Sequence, residues 1–553
     1  MAEIKLRECK FVMHVPAIEG VREDFHMVKE LVTYDDGTTR NKLTWLRDFK
    51  RPFYVTKKHK RRHKQKKEFE YLDNVNTHYS TQSDLANNIA IKIEKGYYKK
   101  NNLRDVVDNP YLYGVDVNSC TYIKRIYQEK YPDNTSEFTV CTLDIENDVD
   151  TGIISVITVS MKDKIYTAIH KDLIKNHPNA KETIIALYDK WVPDTQIKKD
   201  VGIPEIKIFD NELDIIVNVF KKVHSWMPDF LTVWNLNYDI PKIMSVLDKY
   251  GMRYEDVFCD PTINKKLRLF KYKEGQKQRV TESGRIMAIN PEQQWHTAYN
   301  TASFVMIDAM AAYSYVRVGQ AAVPGGYSLD NILKHNKINT KLTFDNEIKY
   351  KGADWHKYMV AQKPLEYVVY NIYDTTSMLV LENKTKDLTT SVPILAGVSS
   401  FDIFNSGPKK LVDGLNFFYL NNKRVLGCKP SRINDDKILG LDGWVTTLPA
   451  YRLVDNGIKC IAEDDSIVTN TRCHVYDIDA ISSYPSDTIA ANISKQTTMK
   501  EIKSISGFTK EGFMYQNINL SSGNVNSIEY CTNMFNFPTL DELETKIDGL
   551  INH

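Results

Sequence analysis

Apolar residues recur along this chain in two textures. Phe138-Thr-Val-Cys-Thr-Leu143 and Ile153-Ile-Ser-Val-Ile-Thr-Val159 are β-branched runs dense enough for buried strands, and 304–307 is a third, shorter run. At 211–225, 240–250 and 365–382 apolar positions return every three to four residues, the spacing of an amphipathic helix. Strands interleaved with helices predict an α/β domain over 135–386. Before it, 1–134 is a charged, tyrosine-rich segment of mixed pattern that predicts an α+β domain ending in the turn cluster Tyr131-Pro-Asp-Asn134. After it, the spacing is helical over 387–429, and 445–489 reads as strands followed by a helix, so a third region is expected over 387–553. The expected fold class is α/β, multidomain.

Composition narrows the picture little. At 553 residues with 42% apolar and 26% charged positions the chain is long enough for several cores and too hydrophobic for disorder. Its 73 Lys and Arg nearly cancel its 71 Asp and Glu, so net charge selects no partner. Eight cysteines without a C-x-x-C pair argue against a zinc ribbon or a disulfide framework and suit a reducing compartment. With no apolar window of membrane length and no leader-like start, the expectation is a soluble cytoplasmic protein without a membrane partner.

One local charge cluster stands out, ten basic residues in the eighteen of 50–67, interleaved with Phe53, Tyr54 and two histidines. It reads either as a solvated loop or as a contact for nucleic-acid phosphates. Over 265–281, basic and apolar residues alternate around Glu274-Gly275, which predicts a surface β-hairpin.

Four carboxylates carry the chemistry. Asp144-Ile-Glu146 follows the first strand run, and strand alternation puts both acids on one face. Two like charges side by side call for a cation between them. In Phe230-Leu-Thr-Val-Trp-Asn-Leu-Asn-Tyr-Asp239-Ile-Pro241 a strand runs into a helix start; Asp239 alone reads as a helix N-cap. In Tyr367-Val-Val-Tyr370-Asn-Ile-Tyr-Asp374 the i, i+4 spacing puts Tyr370 and Asp374 on one helix face.

Taken in order, D-x-E, W-N-x-x-Y-D-x-P and Y-x-x-x-D resemble the three exonuclease motifs of the proofreading domain of family B DNA polymerases, in the DEDD group with the tyrosine variant. The resemblance implies an RNase H-like exonuclease domain that hydrolyses phosphodiesters with two divalent ions, Mg²⁺ or Mn²⁺. It implies Asp144, Glu146, Asp239 and Asp374 as their ligands, Tyr370 as the group that orients the attacking water, and Asn235 as a substrate contact. Asp308, in the strand run between the motifs, is expected to be structural. The 265–281 hairpin is similar to the strand-separating hairpin of phage relatives.

Further on, Val475-Tyr-Asp-Ile-Asp479-Ala-Ile-Ser482-Ser483-Tyr484-Pro-Ser486 resembles motif A of the family B polymerase palm. By that resemblance Asp479 is a metal-binding aspartate, the backbone at Ser482 and Ser483 meets the triphosphate, and Tyr484 packs under the sugar and excludes a 2′-hydroxyl. The fingers motif K-x-x-x-N-S-x-Y-G and the D-T-D palm hairpin do not come after it. The likeness spans about 50–507 and is nearest to polymerases of large tailed bacteriophages. It implies the N-terminal subunit of a split polymerase: a proofreading exonuclease plus a partial palm. A second subunit then brings fingers, motif C and thumb, with two more metal ions at the completed polymerase site. Partners implied are primer-template and single-stranded DNA, deoxynucleoside triphosphates, that subunit and a sliding clamp. The alternatives are a truncated polymerase, a free-standing DEDD exonuclease from a degenerate polymerase, or a non-catalytic DNA-binding scaffold. The closing stretch 537–553 has an amphipathic helical pattern suited to docking a partner or its own palm.

Overall fold

The computed structural model describes residues 3–392 apart from short stretches (65, 94–102, 108, 133–135, 282–283, 322, 339–341, 343 and 345–349), together with 415–427 and four short strands beyond them. Contacts divide the chain into two units, Met1–Ser431 and Arg432–His553.

Within the first unit, the opening strands Ile4–Val15, Phe25–Tyr34 and Thr39–Arg47 form an antiparallel meander. Helix Ser119–Lys130, capped by the Asn118 side chain on Thr121 N, packs on it through Cys120 and Ile123 against Cys9, Val12 and Val28. A second small sheet sets strand Arg51–Thr56 between Val75–Ser80 and Leu112–Tyr113. The basic stretch therefore splits. Arg51 is fully buried and donates to the Gly114 and Val115 carbonyls, Lys57 to Asp73 O, Arg61 to Thr56 O, and Lys66 to Val107 O. Four of the ten basic residues thus tie down backbone, and Lys50, Lys58, Lys60, Arg62, Lys64 and Lys67 remain exposed.

The centre is an eight-stranded mixed sheet in the order Glu205–Phe209, Lys164–His170, Ile154–Met161, Val140–Asn147, Phe230–Val233, Val305–Asp308, Thr297–Asn300, Phe270–Lys273. Val140–Asn147 pairs antiparallel with Ile154–Met161 and parallel with Phe230–Val233. Alternation sorts its side chains: Cys141, Leu143 and Ile145 point into a core shared with helices Glu212–Trp226 and Leu236–Lys249. Thr142, Asp144 and Glu146 face the other way, toward the 22-residue helix Pro364–Thr385. That helix is buried nearly all round. It approaches closely because small hydroxyls line the contact: Thr142 Oγ1 donates to Thr375 O at 3.0 Å, and Ser160 Oγ meets Thr375 Oγ1 at 2.6 Å. This mixed α/β architecture is the one expected of an RNase H-like exonuclease domain. Two buried lysines join the opening meander to it. Lys29 Nζ lies 2.7 Å from Asp229 and donates to Met227 O and Pro228 O, while Lys10 Nζ binds Glu8, Ser136 and Glu137 O.

Two expectations are corrected. Phe270–Lys273 does not fold back on 276–280; it pairs with Thr297–Asn300, because Phe270 is drawn into the core beside Phe258. Gly275 then lies against the backbone of Gln294 and Trp295, where a Cβ would come within 2.8 Å. The hairpin forms one step later, Gln278–Val280 with Ile286–Ala288, and is exposed throughout. In the segment after 386, of which 393–414 lie outside the described residues, the helical spacing gives way to a strand at its end. A π-helical turn, Asp387–Ser391, and a helix at 415–421 are succeeded by strand Arg424–Leu426, which pairs with Phe69–Tyr71 near the start of the chain.

In the second unit two antiparallel pairs are described, Tyr451–Val454 with Gly457–Cys460 and Asn517–Leu520 with Gly523–Asn526. The rest of the expected strands and helix of 445–489, and the 537–553 helix, lie outside the described residues. Cys9, Cys120, Cys141 and Cys259 are buried, and among the described residues no helix is long and apolar enough to cross a membrane.

Candidate active site

Asp144 and Glu146 sit two residues apart on the inward face of strand Val140–Asn147. The long helix crosses above them and lowers Asp374 from its middle. One oxygen from each of Asp144, Glu146 and Asp374 lies within 4.8 Å of the others. Three carboxylates this close repel unless a cation or a proton intervenes, and their all-oxygen set suits a hard divalent ion such as Mg²⁺ or Mn²⁺. The donor set therefore fits the metal that the motifs imply.

Asp239 enters from the neighbouring strand. Phe230–Val233 runs parallel to Val140–Asn147, with Thr232 opposite Thr142, so the chain turns into helix Leu236–Lys249 beside the acidic pair. The N-cap is Asn235, whose side chain accepts from Asn237 N at 3.2 Å, and not Asp239. Asp239 lies in the first turn, almost fully buried and outside the tight trio. Burial, then the charges of Glu146 and Asp308, push its carboxyl well above the usual range. Asp308 is a structural cap: Oδ1 accepts from Ala311 N at 2.8 Å and Oδ2 from Leu236 N at 2.9 Å, which pins the start of the Asp239 helix. Burial raises the Asp308 carboxyl to about 7, against those backbone bonds.

Tyr370 stands one turn before Asp374 on the same helix; burial, then the Asp374 charge, raise its phenol well above the usual value. Three residues not singled out from the sequence complete the surroundings. Asn371 Nδ2 donates to Asp144 Oδ2 at 2.7 Å, Tyr367 Oη donates to Glu146 Oε2 at 2.6 Å, and His356 Nδ1 lies 2.7 Å from the Tyr367 hydroxyl. Tyr367, Asn371 and Asp374 fall at i, i+4 and i+7 with Tyr370 at i+3, so one helix stripe carries all four, and that spacing was available in the sequence. His356, from helix Ala353–Gln362, was not. Tyr238, exposed at the rim, donates to Asn147 Oδ1 at 2.7 Å. Asp479, Ser482, Ser483 and Tyr484 lie outside the described residues.

Residues 92–332 match the family model for DNA polymerase family B, exonuclease domain. The matched span takes in Asp144, Glu146, Asn235, Asp239 and Asp308 and stops before Tyr370 and Asp374. A search among curated proteins returns no match. A strand D-x-E pair, a second acid delivered by the adjacent parallel strand and a family model over the same residues agree: the chain carries a family B polymerase-type exonuclease domain, a nuclease that acts on DNA.

Proposed function

We propose that this domain, with boundaries near 134 and 386, is a metal-dependent 3′ to 5′ exonuclease whose ion ligands are Asp144, Glu146, Asp239 and Asp374. The convergence of three carboxylate oxygens within 4.8 Å carries this reading. When bound, two Mg²⁺ or Mn²⁺ ions supply positive charge for the attacking and leaving oxygens of an in-line displacement. The chain's own residues do the rest. Tyr370, held beside Asp374, orients the attacking water; Asn235 and the backbone at the start of its helix receive the terminal nucleotide. A site this enclosed admits an unpaired end, so single-stranded and frayed DNA are the preferred substrates. The test is a 5′-labelled oligonucleotide with purified protein: a ladder shortened from the 3′ end in Mg²⁺ or Mn²⁺, abolished by EDTA, supports the reading. An untouched substrate refutes it.

We propose further that 475–486 serves as motif A of a phage-type family B polymerase site, with Asp479 as metal ligand, Ser482 and Ser483 at the triphosphate and Tyr484 at the sugar. One palm carboxylate does not hold two ions. DNA synthesis would then need a second carboxylate and a fingers element besides this segment. Primer extension by an assembly that contains this chain, lost in Asp479→Ala, is the expected result; extension undiminished by Asp479→Ala would exclude it.

A further inference from the structure

We infer that Tyr367, Asn371 and His356 are positioning residues that hold the two strand carboxylates in the orientation in which they receive metal. The inference rests on the reading of this site as a metal-dependent nuclease and deepens it. Asn371 and Tyr367 are both fully buried, and each gives its side-chain donor to one oxygen of a strand acid, Asp144 Oδ2 and Glu146 Oε2 respectively. A carboxylate offers two oxygens and about four lone-pair positions, so a hydrogen bond to one oxygen fixes the rotamer and is compatible with ligation of a cation by the same group. His356 extends the chain: with the Tyr367 hydroxyl donating to Glu146, His356 Nδ1–H is the donor to that hydroxyl at 2.7 Å, and Nδ1 also lies 3.4 Å from Glu146 Oε2.

The donors come from the same helix face that carries Tyr370 and Asp374. One rigid element thus supplies a proposed ligand and also orients the two strand acids. Groups that fix metal ligands by hydrogen bonding typically contribute about 10–100-fold to metal affinity. A purely structural role would instead leave affinity untouched and lower the stability of the metal-free protein.

The experiment is Mn²⁺ binding to the full chain, monitored by the electron paramagnetic resonance of free Mn²⁺, for wild type, Tyr367→Phe, Asn371→Leu and His356→Gln, with circular dichroism as the check on folding. Tyr367→Phe and Asn371→Leu are expected to bind Mn²⁺ about 10–100-fold more weakly. The Mn²⁺ concentration for half-maximal degradation of single-stranded DNA should rise by the same factor, with KM for DNA unchanged. Folded variants that bind Mn²⁺ like the wild type would overturn the inference and leave the nuclease reading standing. A wild type that binds no Mn²⁺ would overturn both. His356 is 34% exposed, so His356→Gln keeps the fold if the buried substitutions do not. It is expected to weaken Mn²⁺ in the same direction, and unchanged affinity in that variant would also overturn the inference.

Discussion

Asp374→Asn should abolish nuclease activity and at the same time stabilise the metal-free protein. Two unit charges 4.8 Å apart repel by about 3.5 kcal/mol at an effective dielectric near 20, and Asp374 enters two of the three pairs in the trio. Proton uptake by one of the acids relieves part of this, so the net gain expected from removing the charge is about 2–4 kcal/mol. The opposing loss is small. Asparagine keeps an oxygen for the Tyr370 hydroxyl, which hydrogen-bonds Asp374, and a weakened hydrogen bond costs about 0.5–1.5 kcal/mol. Repulsion wins, and the sign is positive.

The first unit, Met1–Ser431, should unfold with an entropy near 0.9 kcal/mol/K at about 2.1 cal/mol/K per residue, which, with the lost hydrogen bond subtracted, puts the rise in melting midpoint at roughly 1–4 °C. The assay is a thermal melt of wild type and variant in EDTA and again in Mn²⁺. In EDTA the variant should melt higher; in Mn²⁺ the order should reverse, because the wild type is stabilised by the ions it binds. A variant that melts below the wild type in EDTA would show that Asp374 is held by bonds worth more than its repulsion, and the electrostatic account of the trio would fail.

Three particular contacts give further outcomes. Lys29→Met leaves Asp229 buried with only its Thr139 bonds and should cost about 3–5 kcal/mol in a denaturant titration; the double variant with Asp229→Asn should recover most of it, and no recovery would mean the pair is not what joins the meander to the sheet. Deleting 278–288 should slow digestion of duplex ends while sparing single strands, since Val280 and Ile286 stand 69% and 65% exposed on that hairpin; equal loss on both substrates would remove any strand-separating role. The Asp308 carboxyl is raised to about 7 from an ordinary value near 3.8, so between those values the folded state holds a proton that the unfolded state has released, and stability falls as pH rises through about 4 to 7 and levels off above. Asp308→Asn should flatten that part of the stability profile, and an unchanged slope in urea melts would refute the assignment.

Much of this site was legible because its parts obey local periodicities. Alternation along 140–147 puts Asp144 and Glu146 on one face, and the i, i+4 rule puts Tyr370 above Asp374; both hold in the structure. The features that escaped were set by partners distant in sequence. Phe270–Lys273 alternates like one arm of a hairpin whose other arm is 276–280, yet it pairs with Thr297–Asn300, because sheet order and a buried Phe270 outweigh proximity along the chain. Arg51 and Lys66 look like a nucleic-acid patch until backbone carbonyls from 107–115 arrive to bind them. Asp239 taken alone reads as a cap, because an acid in a first turn often is one, and only the compound motif marks it as a ligand; the cap itself, Asn235, lies four residues earlier. Nothing in spacing announces His356, which reaches the site only because its helix folds back over the long one.

The central claim, that these four acids form one hydrolytic site, is tested most directly by the degradation of a 5′-labelled single strand in Mg²⁺ by the wild type and by Asp144→Asn. The wild type is expected to shorten the strand from its 3′ end, and Asp144→Asn to be slower by about 10³-fold or more, as befits loss of charge stabilisation at the reacting phosphate, while still binding the strand. Wild-type rates in Asp144→Asn, or cleavage by the wild type that persists in EDTA, would contradict the account.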